Sequence, residues 1–304
     1  MSHLILLKRR IRSIQTTEKL THAMRLISMS LYSKLDKKLA AVTYHEKVFK
    51  NLLLELSQQS PEWKSPLFFP EDILDENPLF IVISATKGFC GGLNTMLFRY
   101  LEQKLFIEEH QTPTFITIGK KATDFVQTKN LGSIIATYHD LNSNNYPDTA
   151  QSLISHTIKQ NPLYSSVTIY SSFFKNFFVQ RPQITQLLPL KKELEEVTYQ
   201  ESPVPKRQEP STAYTQDQSE LPDIEPIWEQ DKIEIINGVA KRYLDVQTTT
   251  ILFQALISEY AARFVAMDNA TTNAEKYLDS LTLQFNKLRQ SLITREVSEL
   301  SASL

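Results

Sequence analysis

Cysteine is almost missing from this chain: Cys90 is the one cysteine in 304 residues. A single thiol excludes an internal disulfide, a zinc site built on several thiolates and a dithiol redox switch, and it fits a reducing compartment. Net charge is missing as well. Thirty-three Lys and Arg stand against thirty-four Asp and Glu, a formal charge of −1, so there is no basic excess of the kind that binds nucleic acid. No apolar run approaches the roughly 18 to 20 residues needed to span a bilayer. At the N-terminus Leu4 to Leu7 precede Lys8, Arg9, Arg10 and Arg12. A signal peptide puts charge before the apolar run and a transit peptide is rich in serine and poor in acids; neither pattern is clearly present, so Met1 is expected to begin the mature chain. Glycine is scarce too, with six residues, about 2 % against the ~7 % usual in proteins. Three of the six, Gly88, Gly91 and Gly92, fall within five positions. A chain so poor in glycine avoids turns, which points to long helices.

The apolar spacing agrees. A stripe runs through Leu7, Ile11, Ile14, Leu20, Met24, Ile27, Leu31, Leu35, Leu39, Val42, Phe49, Leu52 and Leu56, once Thr17 and His45 are admitted as placeholders. Its 49 residues divide into 14 steps of 3.5, the period of a left-handed coiled coil. Neither glycine nor proline interrupts it, and a helix over residues 1–58 would be ~85 Å long. The C-terminal stretch repeats the period through Phe253, Leu256, Tyr260, Phe264, Met267, Ala270, Ala274, Leu278, Leu281, Phe285, Leu288 and Leu292. A helix over 227–304 cannot bury such a stripe alone. Its partner of matching period is the other end of the same chain, which predicts an antiparallel pair closed by an inserted domain. Within this helix Asp268-Asn-Ala-Thr-Thr-Asn273 is rich in weak helix formers, an anomaly that implies a need for small polar groups, expected from outside the helix.

After a linker over 59–78, the segment 79–190 changes to short β-rich runs at 79–85, 114–118, 133–138 and 166–170, alternating with helical patterns at 92–108, 120–129 and 148–160. Strand–helix alternation predicts an α/β domain with a mostly parallel sheet of four or five strands. Residues 191–226 carry Pro203, Pro205, Pro210, Pro222 and Pro226 among Glu, Gln, Lys and Ser, and read as an acidic, proline-containing loop returning the chain to the last helix.

Candidate chemistry is sparse. Lys87-Gly88-Phe89-Cys90-Gly91-Gly92-Leu93-Asn94 follows a strand and opens a helix, where phosphate-binding loops sit. It matches neither G-x-G-x-x-G nor G-x-x-x-x-G-K-[ST], so a tight structural turn is the stronger reading. The six histidines are scattered, and no constellation of nucleophile and base or of metal ligands emerges. Neither catalysis nor a cofactor is expected. Arg289, Gln290, Thr294, Arg295 and Glu296 form a polar cluster that composition alone assigns to a solvated helix face.

Five stretches together resemble one family. Tyr260-Ala-Ala-Arg-Phe-Val-Ala-Met-Asp-Asn-Ala-Thr-Thr-Asn-Ala-Glu275 and Leu283-Gln-Phe-Asn-Lys-Leu-Arg-Gln-Ser-Leu-Ile-Thr-Arg-Glu296 resemble the C-terminal signature of the F-type ATP synthase gamma subunits. Ile11 to Met24 is similar to their start, Gly88 to Asn94 to their glycine loop, and Gln186-Leu-Leu-Pro-Leu190 to the end of their central domain. The chain departs from the family pattern at Thr86-Lys87 and at Ser28, Met29, Ser30, Leu31 and Tyr32. The resemblance implies an antiparallel coiled coil of the two termini with an inserted Rossmann-like α/β domain. It also implies a non-catalytic central rotor that couples proton or sodium flow to ATP synthesis or hydrolysis. The expected partners are the alpha, beta, epsilon (in mitochondria, delta) and c-ring subunits, with no nucleotide bound by the chain itself. The expected place is the cytoplasmic face of the bacterial inner membrane, peripheral to it through the c ring. By the same resemblance Met24, Arg289, Gln290, Thr294 and Glu296 would contact the beta subunits. Ile224, Glu225 and Pro226 would stand on the c ring, and Gly88, Cys90, Gly91 and Gly92 would form the structural loop. The cysteine pair of chloroplast members is absent. A competing reading, independent of the resemblance, is a nucleotide-binding α/β protein with a coiled-coil dimerisation rod.

Overall fold

The computed structural model describes residues 2–60, 63, 78–107, 113–159, 164–190 and 231–302. Helix α1 (Ser2–Gln58) and helix α5 (Lys232–Ala302) are 57 and 71 residues long. At 1.5 Å per residue they extend about 85 and 105 Å. They run antiparallel, and hydrogen bonds between side chains fix the register: Thr271 Oγ1 donates to Thr21 Oγ1 at 2.9 Å, and Arg25 reaches Asp268 at 2.7 Å.

Between them lies an α/β domain of β1 (Pro78–Ile83), α2 (Leu93–Ile107), β2 (Thr114–Ile118), α3 (Lys120–Lys129), β3 (Ser133–Tyr138), α4 (Tyr146–Lys159), β4 (Ser166–Phe174) and β5 (Gln180–Leu188). The strand order is β3-β2-β1-β4-β5, parallel except for the antiparallel β4–β5 hairpin. Strands β1 and β2 are buried on both faces, so their sequences read as continuous apolar runs. Side chains alternate between two cores. Leu79, Ile81, Ile83, Ile116 and Ile169 face α1, α4 and α5, whereas Phe80, Val82, Phe115 and Tyr170 face α2 and α3. The sheet is thus covered by the shaft on one side and by its own crossover helices on the other.

Two features depart from the sequence reading. The β-rich runs stop short of the fifth strand, because Gln180-Arg-Pro-Gln-Ile-Thr-Gln186 is polar and carries Pro182; such a strand is tolerated at an edge, and that is where β5 lies. The α1 stripe is also shifted. Leu20, Ile27 and Leu52 are exposed, and the buried positions near them are Thr21, Ser28 and Leu53. All twelve stripe positions of α5 are buried or half-buried.

Gly132 is required by close approach. A Cβ on Gly132 would lie 2.0 Å from the Pro113 carbonyl oxygen, and backbone atoms cannot yield there as a flexible side chain does. Gly132→Ala is therefore expected to destabilise the chain by about 1–3 kcal/mol through overpacking. A urea midpoint equal to that of the parent would contradict this.

Candidate functional site

The topology dictates where to look. In open α/β sheets the ligand crevice lies beyond the carboxyl ends of the strands, where the chain switches direction across the sheet. Here that point is between β1 and β4, since the chain moves from β1 outward to β3 and then returns to the other side of β1. The loop 84–92 leaves β1 at this place, and the segment 175–179 leaves β4.

Helix α5 occupies the crevice. The Glu259 carboxylate accepts a hydrogen bond from the Thr86 backbone N–H at 3.0 Å. Arg263, one helical turn on, pairs with the other Glu259 oxygen. Its guanidinium also donates to the carbonyls of Gly88 (3.2 Å) and Lys87 (3.1 Å). Both charged side chains are nearly buried, at 7 % and 6 % exposure, so each depends on the other and on the loop for compensation. Gly91 adopts φ +58°, and a Cβ there would stand 3.7 Å from the Ala266 Cβ, so the loop packs on the helix. Asn94 ties the loop to its own helix by accepting from Ala85 N–H at 2.9 Å.

This geometry answers the phosphate question. A phosphate loop presents free N–H groups to an anion. In this loop Thr86 N–H is already given to a carboxylate of the same chain, and the carbonyls of Lys87 and Gly88 are turned to a guanidinium. Cys90 is buried beside them. Burial, and secondly the Glu259 charge, push its thiol above the ordinary value near 9.0, which disfavours the nucleophilic thiolate. The loop is a structural fastening between domain and shaft. The competing nucleotide-binding reading finds its site filled by the protein itself.

Further out, the shaft carries a polar seam. Thr21, Ser28 and Thr271 are buried between the helices, and Arg25 also lies 3.1 Å from His22 Nδ1. The weak helix formers of 268–273 therefore answer to groups outside their own helix, as expected: Thr271 meets Thr21 and Asp268 meets Arg25, both on α1.

Met24 sits half-buried in this seam, level with Asp268 and Thr271. Arg289 lies about 19 residues further along α5, roughly 28 Å away along the helix axis, so the structure does not bring Met24 and the Arg289 cluster together. Arg289, Gln290 and Thr294 are exposed, and the Thr294 hydroxyl donates back to the Gln290 carbonyl at 2.9 Å. Glu296 is on the same helix, but its side chain lies outside the described residues, as do Ile224, Glu225 and Pro226. Continuing the antiparallel register puts the start of α1 opposite residue ~290. Beyond that level α5 runs without α1 and exposes Ile293, Val297 and Leu300, which share one face at helical spacing.

No motif in the sequence singles out Glu259 and Arg263. The available signal is an opposite-charge i, i+4 pair inside an otherwise apolar stretch, where burial on all sides demands mutual compensation.

Known proteins share this architecture. The family description ATP synthase (ATP-synt) matches residues 3–304. The ATP synthase gamma chain of Pelotomaculum thermopropionicum is 29% identical over 296 residues, covering 97% of this chain and 95% of the relative. That of Geobacter metallireducens is 28% identical over 308 residues, covering 99% and 97%. Among solved structures, a chain of the Euglena gracilis mitochondrial ATP synthase (OSCP/F1/c-ring, rotational state 3) superposes with a TM-score of 0.63. It is 16% identical, and the match covers 99% of this chain and 93% of that one. At that identity the likeness is one of fold.

Proposed function

The chain belongs to the ATP synthase family, as the gamma subunit of an F-type enzyme, and from that premise we propose how its parts divide the work. The subunit is a non-catalytic central-stalk rotor, the catalytic sites being in the beta subunits. Its partners are the alpha, beta, epsilon and c-ring subunits. No described helix is long and apolar enough to cross a membrane, and the bacterial relatives belong to a membrane-associated complex. A place on the cytoplasmic face of the bacterial inner membrane is part of the proposal.

The observation that carries the mechanism is the filled crevice. A shaft must not turn freely within the body that holds it. Here the helix of the rod passes through the ligand crevice of the α/β domain and is held by a buried ion pair. The rod and the domain over 79–190 then act as shaft and foot; the loop expected over 191–226 lies outside the described residues. At the free end of the rod, Arg289, Gln290, Thr294 and Glu296 meet the beta subunits, and Met24 meets them at a lower level. Exposure of the first three, level with the start of α1 or just beyond it, supports this assignment. Purification of the tagged chain tests the reading: alpha and beta subunits should copurify in threefold excess over it, whereas a homodimer that binds ATP would overturn it.

At the foot, the resemblance of Ile224-Glu225-Pro226 to the family pattern supports a place beside the polar loops of the c ring. Cysteines introduced at position 225 and in those loops should crosslink in the assembled complex. Failure at 225 and at each neighbouring position would remove the assignment.

A further inference from the structure

Phe177 stands at the tip of the β4–β5 hairpin, and its ring touches both helices of the shaft. It packs edge-on against Tyr32 of α1, with centroids 4.8 Å apart at 80°, and against Phe264 of α5 at 5.1 Å and 61°. Phe178 closes over its back at 5.2 Å, and Phe174 adds a second aromatic neighbour to Tyr32 at 5.9 Å. We propose that Phe177 is a positioning residue of the rotor: a second fastening that stops α5 from twisting about its own axis where the shaft leaves the domain. This rests on the rotor reading above.

The argument is geometric. Arg263 and Phe264 are consecutive, so their side chains leave α5 about 100° apart. The glycine loop grips one side of this turn through Arg263, and the hairpin tip grips another through Phe264. A single grip leaves a helix free to roll about the point of contact. Two grips around one turn, one of them a ring filling the notch between both helices, oppose roll in either sense. The two grips also differ in kind: hydrogen bonds fix distance and direction, while the packed ring resists lateral displacement because close-packed atoms cannot interpenetrate.

The tip is built to hold that ring in place. The Asn176 side-chain oxygen accepts from the backbone N–H groups of Phe178 (3.0 Å) and Val179 (2.8 Å). The Gln180 side-chain amide donates to the Phe177 carbonyl at 2.8 Å. These bonds close the hairpin without using the Phe177 side chain. Its ring is therefore available for the shaft, and the hairpin keeps its form when the ring is shortened. Two residues before the end of β4, the Ser258 hydroxyl donates to the Ser172 carbonyl at 3.2 Å, so β4 is tied to α5 just below the tip.

The test uses the assembled complex carrying Phe177→Ala or Phe177→Leu. Hydrogen exchange of the α5 amides over 257–267 is measured together with proton-driven ATP synthesis and ATP hydrolysis on the same preparation. In Phe177→Ala these amides should exchange about tenfold faster, since removing the aromatic packing lowers the cost of opening this turn locally. Synthesis should fall severalfold while hydrolysis falls less than twofold, and Phe177→Leu should restore most of the difference. Unchanged exchange in an assembled Phe177→Ala complex would overturn the proposal. So would a parallel fall of synthesis, hydrolysis and assembled protein in both variants, which is the mark of a residue needed only for folding. Should the parent chain not assemble with alpha and beta subunits, the rotor reading fails; the fastening itself is then judged by exchange in the isolated full-length chain.

Discussion

Arg263→Leu should destabilise the chain by about 3–5 kcal/mol, the range found when one partner of a buried ion pair is removed. The reason lies in what stays behind. Glu259 would keep the hydrogen bond from Thr86 N–H but would lose its cationic partner in a setting where it is 7 % exposed. The carbonyls of Lys87 and Gly88 would lose their donors at the same time. Glu259→Gln should cost less, because an amide oxygen still accepts from Thr86 N–H. Replacing both residues by leucine should cost less than the sum of the two leucine replacements made singly, because the double variant leaves no lone buried charge. Urea unfolding of the parent, the two single leucine variants and the double variant gives the cycle. A loss below about 1 kcal/mol for Arg263→Leu would mean that water or a nearby group compensates Glu259, and the fastening would then not depend on the pair.

The same pair shows where sequence reading stops. Strands β2 and β3 lie at 114–118 and 133–138 as expected, because β-branched runs between turn residues leave little choice. The α5 stripe is legible throughout, since its positions are all aliphatic, aromatic, methionine or alanine. The α1 stripe fails at Thr17, Leu20 and Ile27, on either side of the half-buried Met24, and again at Leu52. A search for apolar period takes Leu20 and Ile27 as inward, yet the helix turns Thr21 and Ser28 to its partner, with Glu18 half-buried beside them. A polar seam is invisible to such a search, and its only trace is the run of weak helix formers at 268–273. Strand β5 escapes for the complementary reason: an edge strand need not be apolar. The glycine loop reads as a turn, and the φ of Gly91 fits that. Its partner across roughly 170 residues of sequence is not legible, because nothing local in Thr86 or Lys87 points to Glu259 and Arg263.

Removing the Arg289 and Gln290 side chains together, as R289A and Q290A in one chain, should lower coupled ATP synthesis severalfold while leaving the abundance of the assembled complex within about twofold, as expected for exposed side chains away from a core. Both are exposed, and among the described residues their side chains make no hydrogen bond or ion pair, so truncation takes nothing from the fold. They stand level with the start of α1, beside the last turns of α5 that run alone, and their exposed side chains are free to meet a partner. A guanidinium and a carboxamide at this place can give charge-assisted and neutral hydrogen bonds to a beta-subunit loop, offset in part by the desolvation of the guanidinium. Because such bonds form and break as the shaft turns, their loss should weaken the coupling between rotation and catalysis more than the binding of the rotor. The measurement is proton-driven synthesis per assembled complex in membrane vesicles, with the single variants alongside. Rotation in the opposite sense reverses the order in which these groups meet the beta subunits but not which groups meet, so hydrolysis-driven proton pumping should fall in the same preparations. Normal synthesis and pumping in the double variant at matched assembly would return the cluster to a solvated helix face, and torque would then have to pass through the seam near Met24 or the exposed face of Ile293, Val297 and Leu300.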